Sequence, residues 1–262
     1  MKFISGFIVL IFLISGFIYA QESKDFKHYF DDAGVKGSFL LYDLNANKYT
    51  YYDSARCDKR FIPASIFKIP NSIIGLETGV ITDENFVIPW DGIKRREEWN
   101  RDLDLKTAIQ VSAVPYYQEL ARRVGEQKMQ EMVIKLGYGN MDISGGVDRF
   151  WLEGGMRISQ FEEVDFLKRL FKNELPVSQR SMDITKKIIL NEDTLGYKLR
   201  AKTGWGNEGL LNIGWWVGWV EKTDKVFFFA INIEKQEPAG DSFLATRKEI
   251  TRKILNELGI LP

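Results

Sequence analysis

Apolar residues follow different rhythms in different regions of this chain, and the rhythms predict its elements. The first twenty positions, MKFISGFIVLIFLISGFIYA, hold one lysine and then a nearly unbroken apolar run ending at Ala20, before the polar QESKD. A short positive head, an apolar body and a small last residue describe an export signal over 1–20. The run is also just long enough for a retained anchor, which is the alternative. No later stretch is long and apolar enough to cross a bilayer. GSFLLYDLNANKYTYYD (37–53) reads as two strands around a turn at Asn45-Ala46-Asn47.

From Pro63 to about Asn191 apolar residues recur at three- and four-residue spacings, the helical period. There YYQELARRVGEQKMQEMVIKLG (116–137) predicts two helical segments broken near Gly125 and ended by Gly137. FEEVDFLKRLFKN (161–173) predicts another. LNIGWWVGWVEKTDKVFFFAINIE (211–234) is aromatic and β-branched around Lys222-Thr223-Asp224, which predicts a hairpin of two buried strands. SFLATRKEITRKILNELGI (242–260) closes the chain as an amphipathic helix, with Ser242 as its expected cap. Strands at both ends with helices between predict an α+β fold. Its antiparallel sheet is built from both ends of the chain and flanked by terminal helices, with an all-helical subdomain inserted over roughly 70–195. A cleft between such a sheet and such an insertion is a usual place for an active site.

Composition narrows the function. Formal charge is balanced, 36 basic against 36 acidic residues, so no basic surface recruits nucleic acid or an anionic membrane. Cys57 is the one cysteine and His28 the one histidine, which excludes an intrachain disulfide and argues against a structural zinc site. The core must hold the fold, and 45% apolar content with 18 Phe and 7 Trp supplies one. A lone histidine also leaves little room for the usual serine–histidine hydrolase, in which imidazole takes the serine proton.

The segment FIPASIFKIPNS (61–72) offers another base. Pro63 disfavours helix at Ile62, and a helix begun after it puts Ser65 and Lys68 on one face. The apolar neighbours Ile66, Phe67 and Ile69 desolvate the lysine, which favours the neutral amine. The bland reading is a capping serine beside a surface lysine. Other motifs weigh against it. Lys202-Thr203-Gly204 precedes the predicted hairpin and offers a cation, a hydroxyl and a glycine edge beside which a substrate can lie. Ser112-Ala113-Val114 sits between helical stretches, where a helix cap is the bland reading, and Tyr138-Gly139-Asn140 reads equally as a turn.

Taken in order, Ser-x-x-Lys, Ser-x-Val, Tyr-Gly-Asn and Lys-Thr-Gly resemble the class D, oxacillinase-type, serine β-lactamases. WDG (90–92), GGVDRFWLEG (145–154) and WWVGWVE (215–221) agree, so the resemblance spans the mature chain 21–262 as one catalytic domain. Ser-Ala-Val stands where the related class A enzymes carry Ser-Asp-Asn, so class A fits less well. The resemblance implies that Ser65 is the acylated nucleophile and Lys68 the general base, working as an N6-carboxylysine. Trp151 would hold that carbamate through its indole N–H, under an apolar lid of Val114 and Leu152. Ser112 would relay protons to the leaving nitrogen. Lys202, Thr203 and Arg247 would meet the substrate carboxylate, and backbone N–H groups of Ser65 and Trp205, beside Gly204, would form the oxyanion hole.

No dissociable cofactor is implied, only carbon dioxide on Lys68; the partners are small β-lactams, and the destination is the periplasm. Two rivals share the motifs. One is a D,D-peptidase of cell-wall synthesis; the other is a β-lactam sensor domain that is acylated without turnover. The signal-like leader favours the free-standing enzyme.

Overall fold

The structure is a computed structural model, and it describes residues 20–236 and 240–262. The expected export signal over 1–20 therefore lies, up to residue 19, outside the described residues. In chain order come β1 (Ala20–Ser23), α1 (Lys27–Asp32), β2 (Lys36–Asp43), β3 (Lys48–Tyr52) and α2 (Ser54–Asp58). A 3-10 turn (Ala64–Phe67) then leads into α3 (Lys68–Glu77). Next are β4 (Val87–Ile88), a second 3-10 turn (Glu97–Trp99), β5 (Leu103–Asp104), α4 (Leu105–Gln110) and α5 (Val114–Val124). The order continues with α6 (Glu126–Leu136), α7 (Gln160–Phe171), α8 (Gln179–Ile188) and β6 (Leu190–Asp193). Last are β7 (Lys198–Glu208), β8 (Leu211–Glu221), β9 (Val226–Gln236) and α9 (Asp241–Glu257).

One seven-stranded sheet runs in the order β1-β3-β2-β9-β8-β7-β6, so both ends of the chain meet in it as expected. It is mixed, because the edge strand β1 lies parallel to β3 while the other pairs are antiparallel. β8 and β9 are buried on both faces, which is why their sequence is a continuous apolar run. Trp215, Val217 and Trp219 of β8 pack with the helices of the insertion, while Trp216 and Val220 pack with α1 and α9.

The predicted breaks hold. Gly125 separates α5 from α6 at φ 79, and Gly137 ends α6 in the left-handed conformation at φ 62. The α7 helix starts on a capping box between Ser159 and Glu162.

Three features differ from expectation. β6 and β7 extend the sheet beyond the predicted hairpin, with Lys-Thr-Gly on a strand edge as expected but inside an eleven-residue strand. The insertion carries the short antiparallel pair β4–β5 among its helices. Gly240 occupies the N-cap of α9, so Ser242 falls inside the first turn and caps nothing.

Candidate active site

The predicted motifs converge where the first 3-10 turn packs on β7. Ala64 has φ 48, a conformation that is rare for a residue with a side chain and is stored at functional sites. Its N–H donates to the Trp151 carbonyl at 2.9 Å, which ties the turn to the loop before α7. Gly204 of β7 makes the close approach possible. A Cβ there would lie 2.9 Å from the Pro63 carbonyl oxygen and 3.1 Å from Ile66 Cγ2, so only glycine lets the strand reach the turn.

The turn presents Ser65, 8% exposed, above Lys68, which is 0% exposed. Lys68 Nζ donates to Ser65 Oγ at 2.7 Å. Burial alone lowers the lysine pKa to about 7, since no carboxylate acts on it. The amine lies 5.4 Å from the centre of the Tyr117 ring, and Tyr117 in turn shares a 2.8 Å hydrogen bond with Ser72. Phe67 stacks on Trp151 at 5.4 Å and 21°, with Phe150 edge-on to both. The Trp151 indole N–H is buried and has no acceptor. A buried donor left unpaired is costly, so this one marks a place for an acceptor.

Ser112 follows α4 with φ 55, and its Oγ accepts from Lys202 Nζ at 3.0 Å. Lys202 is 5% exposed, and its charged form is opposed first by burial and then by Lys68, Arg247 and Lys248. Ala201 N–H donates to the Ile189 carbonyl at 3.0 Å, on the side of β7 away from β8. The two-residue period of a strand sends the N–H groups of Thr203 and Trp205 to that same side. The ladder with β6 stops at Arg200, so this edge is open beyond it.

Arg247 on α9 completes the wall. It is 8% exposed, its Nε and Nη1 have no partner, and burial lowers its pKa to about 10, with Arg96 adding to the effect. Ser65, Ser112, Val114, Thr203, Gly204, Trp205 and Arg247 all line one cleft of about 340 Å3. Lys68 and Lys202 lie buried behind that lining, bonded to Ser65 and Ser112. Buried Trp151, whose carbonyl meets Ala64, and half-buried Leu152 do not line the cleft themselves.

Tyr138 and Asn140 brace the loops behind the site. Tyr138 donates to Glu163 at 2.8 Å, and Asn140 bonds Gly155 and Arg157 at 2.9 and 2.8 Å. His28 sits exposed on α1, and Cys57 is buried with its thiol pKa pushed up to about 12, so neither offers chemistry.

Sequence reasoning missed Arg96, Trp99, Asn207 and Leu244, which also line the cleft. Only Trp99 left a trace, as a large aromatic alone in the charged run RREEWNRD.

The cleft can raise a serine nucleophile against an uncharged amine while holding an anion on the opposite wall. Comparison with known proteins identifies the family. The family described as the penicillin binding protein transpeptidase domain matches residues 21–256. β-Lactamase OXA-5 of Pseudomonas aeruginosa is 44% identical over 267 residues, covering 100% of this chain and 99% of its own. A class D β-lactamase from Sebaldella termitidis has a TM-score of 0.89 at 38% identity, covering 94% of this chain and 100% of that one. The regulatory protein BlaR1 of Bacillus licheniformis is 37% identical, over 92% of this chain but 40% of its own length. With the motifs in one cleft and likeness along nearly its whole length, the chain belongs to the class D β-lactamases, within the penicillin-binding transpeptidase family.

Proposed function

We propose that this cleft hydrolyses the amide bond of penicillin-type β-lactams through a serine ester, and thereby confers antibiotic resistance. The observation that carries the reading is the 2.7 Å contact between Ser65 Oγ and an amine that burial holds near neutrality. Ser65 Oγ attacks the lactam carbonyl as its proton leaves toward Lys68. The N–H groups of Ser65 and Trp205 receive the oxyanion. Ring opening releases the lactam nitrogen, which takes a proton from Ser112. The proton that Lys68 took from Ser65 passes back through the cleft to restore the Ser112 hydroxyl, which Lys202 holds in place at 3.0 Å. Water then cleaves the ester, giving the opened acid and regenerating the Ser65 hydroxyl.

Buried Lys68, with its pKa lowered to about 7, fits a carbamate. A neutral lysine adds carbon dioxide, and the unpaired Trp151 N–H suits a carboxylate-like acceptor beside it. That group, when present, supplies an acceptor for the serine proton and for a proton of the hydrolytic water. Trp151 would hold it, with Val114 and Leu152 keeping bulk water away. We assign no dissociable cofactor. Among the described residues no group of three His, Cys, Asp or Glu side chains is placed to hold a metal. The same reading takes the mature protein to the periplasm, with secretion or an anchored form as alternatives. Among the described residues no helix is long and apolar enough to cross a membrane.

One rate tests the proposal. The purified mature chain should turn over nitrocefin and release a penicillin rapidly from its ester. A second reading, a sensor that stays acylated, is favoured by the likeness to BlaR1, and a long-lived penicilloyl adduct would establish it.

Arg247 gives an independent prediction. Its guanidinium grips the substrate carboxylate in ground and transition states alike, which is uniform binding. Arg247→Ala should therefore raise KM for penicillins by about tenfold or more, the scale of a charge-assisted hydrogen bond, with kcat little changed. Steady-state kinetics decide it: a steep fall in kcat at constant KM removes the carboxylate-clamp role.

A further inference from the structure

Arg96 belongs to none of the sequence motifs, yet it lines the same cleft as Ser65, Thr203 and Arg247. The loop that carries it is closed on itself. Arg95 N–H donates to Asn100 Oδ1 at 2.7 Å, and Asn100 Nδ2 donates back to the Arg95 carbonyl at 3.3 Å. The Arg96 guanidinium lies 5.1 Å from the Trp99 ring centre, a cation–π contact. Trp99 is anchored in turn by its indole N–H, which donates to the Val111 carbonyl at 3.0 Å. The cation is thus held in place at the lip of the cleft.

Its charge is also left over. Arg95 takes both oxygens of the nearby Asp91 carboxylate, at 2.9 and 2.8 Å. Among the described residues no carboxylate pairs with Arg96. Among the described residues the cleft is lined by Arg96 and Arg247 and by no acidic side chain. The ring carboxylate of a penicillin satisfies one of these cations, at Arg247 beside Thr203 and Lys202. Among the described residues Arg96 then has no counter-charge.

Building on the hydrolase reading above, we infer that Arg96 is a specificity-determining residue that receives a second anionic group of the substrate. That group is carried on the acylamino side chain, so the cleft prefers dianionic β-lactams to monoanionic ones.

Benzylpenicillin and its α-carboxy derivative differ by that one carboxylate, which makes their kcat/KM ratio the readout. At low ionic strength Arg96→Gln should lower the ratio of dianion to monoanion by about fivefold, the size of one exposed charge pair. Arg96→Lys should restore most of it, and added salt should shrink the ratio of the wild type. A ratio that stays within about twofold in Arg96→Gln overturns the inference, whether both substrates slow together or neither changes. If both penicillins form esters that do not turn over, the hydrolase reading fails instead. Acylation rates from intact mass then give the same ratio, so Arg96 is tested in either case.

Discussion

Ser65→Ala is expected to abolish turnover, by about 10^4-fold or more, while the fold survives. The hydroxyl oxygen is the atom that bonds to the lactam carbonyl, and alanine offers none. The structural cost is small for a specific reason: no side chain caps the turn at Ala64–Phe67, and Ser65 Oγ has one partner, Lys68 Nζ. Removing that bond costs about 1 kcal/mol, as for a typical buried hydrogen bond. Alanine also fits the 3-10 turn without new volume. Intact-mass measurement after mixing with benzylpenicillin should show one penicilloyl adduct on the wild type and none on the variant, with unchanged circular dichroism. An adduct persisting on folded Ser65→Ala would move the nucleophile elsewhere and remove the basis of the mechanism.

How much of this was readable beforehand depends on what each residue's neighbours do. β8 and β9 are buried on both faces, so their composition alone betrays them. Gly125 and Gly137 stand at positive φ where a helix must stop, and glycine in an apolar helical pattern signals that directly. The full length of β7 escaped, beyond the strand edge read at Lys-Thr-Gly, because its sequence KLRAKTGWGNE mixes charges and glycines, as suits a strand with one edge open to a cleft. β1 escaped because four residues carry no period, and their parallel pairing with β3 is a long-range event. Ser242 looked like a cap because it precedes the apolar pattern, but the backbone turns into helix two residues earlier than that, directly after Gly240.

The site was legible where spacing within one element sets the distance, as for Ser65 and Lys68. It was illegible where distant segments meet. Nothing local shows that Arg96 shares a cleft with Arg247 some 150 positions away. Nor could sequence reveal that the Trp151 N–H lacks an acceptor, which is a property of the packed state.

Lys68 carries the other large effect, and its sign follows from burial. With a pKa lowered to about 7, the amine is neutral above that pH and becomes charged below it. A charged amine can neither accept the serine proton nor add carbon dioxide. Turnover in CO2-depleted buffer should therefore fall steeply as pH drops below about 7, and bicarbonate should restore activity near neutrality.

Stability should move the opposite way when the lysine is removed. The folded pKa lies below the unfolded one near 10.5, so the unfolded chain binds more protons between about pH 7 and 10.5. The lysine's penalty is fully present below pH 7 and disappears as pH rises through that window. Lys68→Met, which keeps length without charge, should abolish turnover yet raise Tm in CO2-depleted buffer. The gain at pH 7 has an upper limit of about 4 kcal/mol, from the conversion of pKa to free energy, and shrinks toward pH 10.5.

Trp151→Phe keeps a ring against Phe67 and deletes the unpaired N–H. It should slow deacylation more than acylation and need more bicarbonate for half-maximal rescue. Carbon-13 NMR with labelled bicarbonate reads the group itself. A carbamate resonance should appear on the wild type, weaken in Trp151→Phe and vanish in Lys68→Met. A fully active wild type with no such resonance means that Lys68 works as a free amine. In that case the Trp151 N–H must find its acceptor on the substrate, and Trp151→Phe should then impair acylation first.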